Sequence, residues 1–360
     1  MAGADVTAAS PLTLRGVTVP HRIWMSPMAQ YSATPDGTPT DWHLVHYGAR
    51  AVGGVGLVVV ESAAVGARHR TTSGDLGLWN EEQAAAHRRL TSFIRAQGGV
   101  PAIQLLAAGR KAAHRRPWEG AGQNDPLTAA EGAWERVGPS PVPFGDLGVP
   151  READQAYLDE VVEAFDRSAR LAHQSGYDVV EVHAAHGYLL HQFLSPLSNI
   201  RTDGYGGSVQ NRVRFPLRVA RAVRDAFPAH KPVFVRVTAT DWVEGGISVD
   251  EAAAFAKELA AIGIDLLDVS SGGLVRDLAA RPPARDGVNV AFAGALKEAS
   301  GLPVAPVGQI TDPALAAAVV ADGRADAVLI GRALLRDPYL LLRHRPDDTS
   351  AWPSQYHRAL

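Results

Sequence analysis

Eight short apolar runs, most of them followed by a segment of helical period, recur along this chain and leave it few folds to choose from. They are Ile23 to Met28, Gly54 to Glu61, Val100 to Leu105, Asp178 to His183, Pro232 to Thr238, Asp265 to Ser270, Leu302 to Pro306 and Ala325 to Ile330. The run GVGLVVVE, bounded by glycines, reads as a strand buried on both faces. Between the runs, spacing predicts helices over Glu81–Gln97, Asp154–Ser175, Val209–Phe227, Val249–Ile262, Ala291–Ser300 and Pro313–Asp322. Consecutive strand–helix units favour a parallel α/β sheet, and eight of them favour closure into a (β/α)8 barrel. Nothing splits the rhythm into two cores, so residues 1–360 are expected to form one domain.

Two stretches stand outside the rhythm. Leu12 to Ile23 alternates and turns at Gly16, as a hairpin capping one barrel end would. Residues 108–150, after the third strand, are rich in Gly, Pro, Ala and charge and too long for an ordinary connection, so they read as a lid or excursion. Their basic run, Arg110, Lys111, His114, Arg115 and Arg116, suits either a solvated face or contact with an anionic substrate or a nicotinamide cofactor's phosphates.

Composition removes several classes. The 360 residues include no cysteine, which excludes disulfides, Cys-ligated zinc and iron–sulfur clusters. A net charge of -3 gives no general attraction to nucleic acid or acidic membranes, so a small-molecule substrate is expected rather than either partner. No run approaches the roughly 18 apolar residues of a membrane helix, and the N-terminus lacks the basic and apolar regions of a signal peptide. A cytoplasmic protein is the expectation.

In a barrel of this kind chemistry gathers where the strands end. Those positions hold Ser26-Pro27-Met28-Ala29, Ser62, Gln104, His183 with His186 and Tyr188, Arg236, Ser270-Ser271-Gly272-Gly273, Gly308 and Gly331-Arg332. The last two turns follow strands seven and eight, where barrels commonly hold phosphate on backbone N–H groups, and an arginine adds bidentate contacts. A guanidinium inside VFVRVT needs a counter-ion, either a protein carboxylate or a bound anion. His183 and His186, three residues apart, could share a metal with His191. The remaining candidate ligand is Glu181, expected to point the other way from its strand neighbours, so no metal is expected.

MSPMAQY (Met25–Tyr31), Gln104 followed by AGRKA (Ala108–Ala112), HAAHGYLLHQFLSPLSNIRTDGYGGS (His183–Ser208), Arg236 in VRV, SSGG, and IGRALLRDP (Ile330–Pro338) together span most of the chain. This set resembles the Old Yellow Enzyme family of FMN-dependent ene-reductases, in particular its bacterial thermophilic-like branch. The resemblance implies FMN across the barrel mouth, in contact with Ser26, Pro27, Met28, Ala29, Ser62, Gln104, Arg236, Ser271, Gly308, Gly331 and Arg332. The last three would hold the phosphate. Gln104 would offer donor and acceptor to the pyrimidine edge, and Arg236 would face N1 and the C2 carbonyl.

His183 and His186 would grip the carbonyl oxygen of an α,β-unsaturated substrate, with hydride passing from flavin N5 to the β-carbon and a proton from Tyr188 to the α-carbon. NADPH or NADH would be the reductant. Tyr31 and the Trp42-His43 region would line the substrate pocket. The tail, residues 345–360, would lie at a subunit interface and place Arg358 in a neighbour's site, which implies a homodimer or a dimer of dimers.

Two positions depart from the branch. Ala29 stands where it usually has cysteine, and Ala107 where relatives often carry histidine, which implies a roomier or less polar pocket edge. The readings that compete are a flavin-binding redox protein of low turnover, another FMN barrel oxidoreductase, and a flavin-free barrel lyase. The dienoyl-CoA reductases and tRNA dihydrouridine synthases among FMN barrels depend on cysteines this chain lacks.

Overall fold

Every apolar run contributes a parallel strand to one sheet. The computed structural model describes residues 6–120, 124–276 and 282–360. The strands are β1 (Ile23–Met25), β2 (Leu57–Ala64), β3 (Val100–Leu106), β4 (Val179–Ala184), β5 (Val233–Thr238), β6 (Leu266–Ser270), β7 (Val304–Pro306) and β8 (Val328–Ile330). Each pairs with its sequence neighbour, and β8 also pairs with β1. A parallel bridge from Val307 to Leu329 joins β7 to β8 and closes the ring. The result is a (β/α)8 barrel.

The helices outside it are α1 (Asp41–Val52), α2 (Glu81–Ala96), α3 (Gln155–Gln174), α4 (Arg214–Ala226), α5 (Val249–Ala261), α6 (Val290–Ser300), α7 (Pro313–Ala321) and α8 (Arg332–Arg336). Asp154 caps α3 by accepting from the Tyr157 N–H, and Ser248 with Glu251 forms a capping box on α5.

Strand alternation sorts side chains into two cores. Val58, Val60, Ile103, Leu105, Val180, Val182, Val235 and Val237 face the helices, where they meet Leu158, Phe165, Phe215 and Phe255. Their neighbours Trp24, Val59, Ala102, Val179, Phe234, Leu266, Ala305 and Leu329 fill the barrel itself. Trp24 and Phe234 stack there with centroids 5.9 Å apart. The expected hairpin, Leu12–Leu14 with Val17–Val19, packs Leu14 and Val19 into this floor and stops the barrel's N-terminal end. One layer higher the inward positions become polar: Glu61, Gln104, Glu181, Arg236 and Asp268, all buried. Layered filling belongs to the fold; the charged layer lies toward the C-terminal ends of the strands.

The structure departs from the sequence reading in three places. Helix α1 went unpredicted because its buried face carries His43, His46, Tyr47 and Arg50 instead of aliphatics. Its Gly48 is pressed against Phe93, where a Cβ would come within 2.9 Å. The single helix expected over Val209–Phe227 is two, Val209–Arg212 and α4, joined at Val213. Pro216 has no N–H for the Arg212 carbonyl four residues back, so the helix breaks there. Finally, β2 starts at Leu57, because Gly54 takes a left-handed turn at φ 81 before it.

Phe165 is wholly buried between α3 and the sheet. Phe165→Ala is expected to lower unfolding free energy by about 3–5 kcal/mol in urea titration; a loss near zero would show that the α3 seam does not bear on stability.

Candidate active site

Three candidate side chains, His183, His186 and Tyr188, owe their positions to β4 and the turn after it. Val179, Glu181 and His183 alternate into the barrel, so His183 stands one layer above Glu181. The chain then turns through His186, at φ 57, and Gly187, at φ 74. At Gly187 an added Cβ would come 2.3 Å from the Gly273 carbonyl oxygen, so that turn has no room for a side chain. Its geometry sets His186 and Tyr188 beside His183, with ring centroids 5.2 and 5.0 Å from it.

Hydrogen bonds fix the His183 tautomer and admit the complementary one in His186. The Ala185 N–H donates to His183 Nδ1 at 3.2 Å, which leaves the ring hydrogen on Nε2. The Ser270 hydroxyl lies 2.7 Å from His186 Nε2; with the hydroxyl as donor, the hydrogen sits on Nδ1. Thr238 Oγ1 accepts from the His186 backbone N–H at 3.0 Å. The two hydrogen-bearing nitrogens, His183 Nε2 and His186 Nδ1, are then 3.4 Å apart. Two donors so close call for an acceptor between them. Burial first, then neighbouring positive charge including Arg236, hold both rings well below the usual histidine range, so they donate as neutral imidazoles. Burial pushes the Tyr188 phenol up, which keeps its proton in place.

These three side chains open onto a cavity of about 490 Å³, within the usual range of a cofactor site. Ser26, Pro27, Met28, Ala29, Tyr31, Ser62, Gln104 and Arg236 line one part of it, and Gly308, Gly331 and Arg332 another. Gln30 to Tyr31 is tethered from behind, where Glu61 accepts from the Gln30 N–H at 2.6 Å and from the Tyr47 hydroxyl at 2.9 Å. Tyr31 sits in the left-handed region at φ 52, which is uncommon for a bulky residue.

A family model described as the NADH:flavin oxidoreductase / NADH oxidase family matches residues 9–347. The chain belongs to this family. An NADPH dehydrogenase of Geobacillus sp. (strain WCH70) is 41% identical over 332 residues, covering 92% of this chain and 91% of the relative. One of Bacillus subtilis (strain 168) is 40% identical over 333 residues, with 92% and 91% covered. Among solved structures, a morphinone reductase superposes with a TM-score of 0.78 at 27% identity, over 98% of this chain and 95% of that one. These matches place the chain with the Old Yellow Enzymes and make it an FMN-dependent, NAD(P)H-oxidising flavin oxidoreductase.

The cavity suits the cofactor of this family. At one end Arg332 and Arg336, with Asp286 also on the wall, form no ion pair among the described residues, which leaves both guanidiniums available to a phosphate dianion. Gly308, at φ 140, comes so near Asn289 that a Cβ would lie 2.6 Å from its Nδ2. At the other end Gln104 gives one amide N–H to Glu181 at 2.8 Å and keeps its carbonyl oxygen and second N–H for a ring edge. Arg236 is held by Ser26 Oγ at 3.0 Å.

Other expectations of the family resemblance fall elsewhere. Ser271 is not on the cavity wall; its hydroxyl donates to Asn289 Oδ1 at 2.7 Å, so it reaches the Gly308 turn only through that side chain. Trp42 is exposed on α1 and His43 is buried beside Glu61, with Nε2 3.5 Å from its carboxylate, so neither lines the cavity. Ala107 is packed in the core, where its carbonyl accepts from the Leu189 N–H, and it forms no pocket edge. Arg358 is exposed in the terminal turn Ser354–Ala359, away from the cavity of its own chain. Glu181 points away from Val180 and Val182 but shares the inward face of His183. His191 joins Asp241 at 3.2 Å rather than the histidine pair, and among the described residues no three potential ligands converge on a metal position. No helix among them is long and apolar enough to cross a membrane.

The basic run of the excursion is paired within the protein rather than aimed at a phosphate. Arg110 is buried and donates to the carbonyls of Leu274, at 2.8 Å, and Val142, at 3.2 Å. Lys111 Nζ donates to the His186 carbonyl at 2.9 Å and lies over the Tyr188 ring, 4.9 Å from its centroid. Arg115 pairs with Asp125 and Glu131, and Arg116 with Glu119. The run clamps the excursion onto the site. Sequence reasoning also missed Thr238 and Ser270 as partners of His186; their inward parity on β5 and β6 was the available signal.

His43, at about 4, His46, at about 3, and the two cavity histidines are held low by burial. Unfolded chains protonate these rings near pH 6.5, so the unfolded state binds more protons as pH falls below that value. Stability present above pH 6.5 is therefore expected to be lost towards pH 4, by about 1.4 kcal/mol per pH unit for each such ring. Buried Glu61 and Glu181, raised above the carboxylate range, act the other way over this window. The check is therefore a smaller fall in urea midpoint from pH 7 to pH 5 in His43→Gln than in wild type; equal falls would contradict the neutral assignment.

Proposed function

We propose that this enzyme reduces the C=C bond of α,β-unsaturated carbonyl compounds, such as enones, enals and maleimides, with NADPH or NADH as reductant. The observation that carries the reading is the approach of His183 Nε2, which bears a hydrogen, to 3.4 Å from His186 Nδ1, which bears one when Ser270 donates to that ring, beside a protonated Tyr188. FMN, when bound, supplies the hydride. The imidazoles hold the substrate oxygen and stabilise the negative charge that develops on it, which makes the β-carbon electrophilic. Tyr188 stands on the same side to give its proton to the α-carbon, with Lys111 above its ring. Tyr31 and Tyr188 bound the space for the rest of the substrate. In this reading Gln104 and Arg236 meet the pyrimidine side of the cofactor, Arg332 with the Gly308 and Gly331 turns holds its phosphate, and one domain, residues 1–360, houses all the chemistry.

A homodimer or dimer of dimers fits the exposed C-terminal turn, in which Arg358 is free to reach a neighbouring copy's cavity. A low-turnover redox protein is the second reading, favoured by Ala29, whose methyl offers no hydrogen-bond donor at the exposed lip of the cavity.

Mixing the FMN-loaded enzyme with NADPH and then cyclohexenone separates the two: bleaching followed by rapid reoxidation marks the reductase. In Tyr188→Phe, reduction by NADPH is expected to stay near normal while enone-driven reoxidation slows by roughly 10²- to 10⁴-fold. Slowed reduction with normal enone turnover would refute the role of Tyr188. Ala29→Cys restores a donor and is expected to raise the flavin potential; an unchanged potential would make position 29 electronically silent.

A further inference from the structure

The polar layer of the barrel contains two carboxyl groups that no step above uses. Glu181 on β4 and Asp268 on β6 flank Arg236 on β5, and all three are buried. The strand register sets Arg236 beside Asp268 and Gln104 beside Glu181. Arg236 Nε is 3.1 Å from Asp268 Oδ2. One oxygen of Glu181 accepts from Gln104, and its carboxyl group meets that of Asp268. Glu181 Oε2 and both oxygens of Asp268 lack a hydrogen-bond donor among the described residues.

Two facing carboxylates sharing one guanidinium repel each other in a buried site. One proton resolves the arrangement, since an acid O–H on one group then donates to the other and a single negative charge remains against Arg236. Burial, and next the charge of Asp268, raise Glu181 well above the ordinary carboxylate range. Burial raises Asp268 to about 6, with Arg236 pulling the other way. The two groups titrate as a pair.

We propose that Glu181 and Asp268 hold one proton between them and serve as positioning residues that temper the charge Arg236 presents to the flavin. The proposal rests on the placement of Arg236 beside the pyrimidine ring given under Proposed function. Reduction brings negative charge to that side of the ring, and an uncompensated guanidinium would stabilise it strongly in so dry a site. The remaining carboxylate offsets part of that attraction and keeps the reduced cofactor a better hydride donor. Glu181 has a second effect. Its oxygen selects the N–H end of the Gln104 amide, which turns the carbonyl oxygen towards the cofactor.

Potentiometry of the FMN-loaded protein tests this with E181Q, the E181Q/D268N double variant and Arg236→Gln. E181Q replaces a neutral acid by a neutral amide and is expected to leave the potential near that of wild type. The double variant bares Arg236 and is expected to favour reduced over oxidised FMN by about tenfold or more, or about 30 mV for a two-electron couple. Arg236→Gln is expected to shift the potential the opposite way. An unchanged potential in the double variant, with Arg236→Gln lowering it, overturns the proposal. An unchanged potential in Arg236→Gln overturns the placement of Arg236 instead.

Should the double variant fail to fold or to load, infrared spectra of wild type and E181Q decide. E181Q is expected to lose one deuterium-sensitive carboxyl band, while that of buried Glu61, itself raised to about 8, remains. Spectra with no such loss overturn the shared proton.

Discussion

A guanidinium inside an eight-stranded barrel cannot stand without a counter-charge, and the functional end of this protein is arranged around that requirement. Arg236 occupies an inward position of β5, flanked by Asp268 and Glu181, and Ser26 at the end of β1 accepts from it. Gln104 completes the belt through Glu181. Below lies an apolar floor sealed by the N-terminal hairpin; above lies the histidine pair. The same alternation that fills a barrel with aliphatics thus lays down one ionic layer at the height where a ring system can rest.

Above that layer the chemistry depends on tautomers more than on charge. Burial denies both imidazoles a proton, so each has one hydrogen to offer, and local partners decide where. A backbone N–H settles His183, and the Ser270 hydroxyl, when it donates, leaves the His186 hydrogen on Nδ1. Neutral donors aimed at one point suit the role proposed above, since they favour charge that develops during a reaction without holding a permanent anion in the resting site. The phenol of Tyr188, kept protonated by burial, fits the same economy of charge.

Much of this was legible in the sequence, for identifiable reasons. Apolar runs such as Val179–Val182 fix strands because no other element buries so short a segment on both sides. The positions toward their C-terminal ends hold His183, His186, Tyr188 and Arg236, where a barrel gathers its polar groups. Helix α1 was hidden because His43, His46 and Arg50 take the places that aliphatics take elsewhere. The counter-ion of Arg236 was left open between protein and ligand, and strand register supplied Asp268. Cations in a Gly- and Pro-rich segment look solvated until the carbonyls they bind are in view, as Arg110 and Lys111 show. Side-chain parity is written in the sequence, whereas contacts between distant loops are not.

The clamp made by Arg110 and Lys111 divides the excursion into two parts with different tolerance for change. Its inner stretch ties β3 to the carbonyls of Leu274 and His186; moving it would strand two desolvated cations and disturb the turn that presents His186 and Tyr188. Farther out, Arg115 and Arg116 are held to Asp125, Glu131 and Glu119 by partly exposed ion pairs that water can replace at modest cost. Evolution or a protein engineer can therefore reshape these outer pairs while the turn that carries His186 and Tyr188 stays where it is.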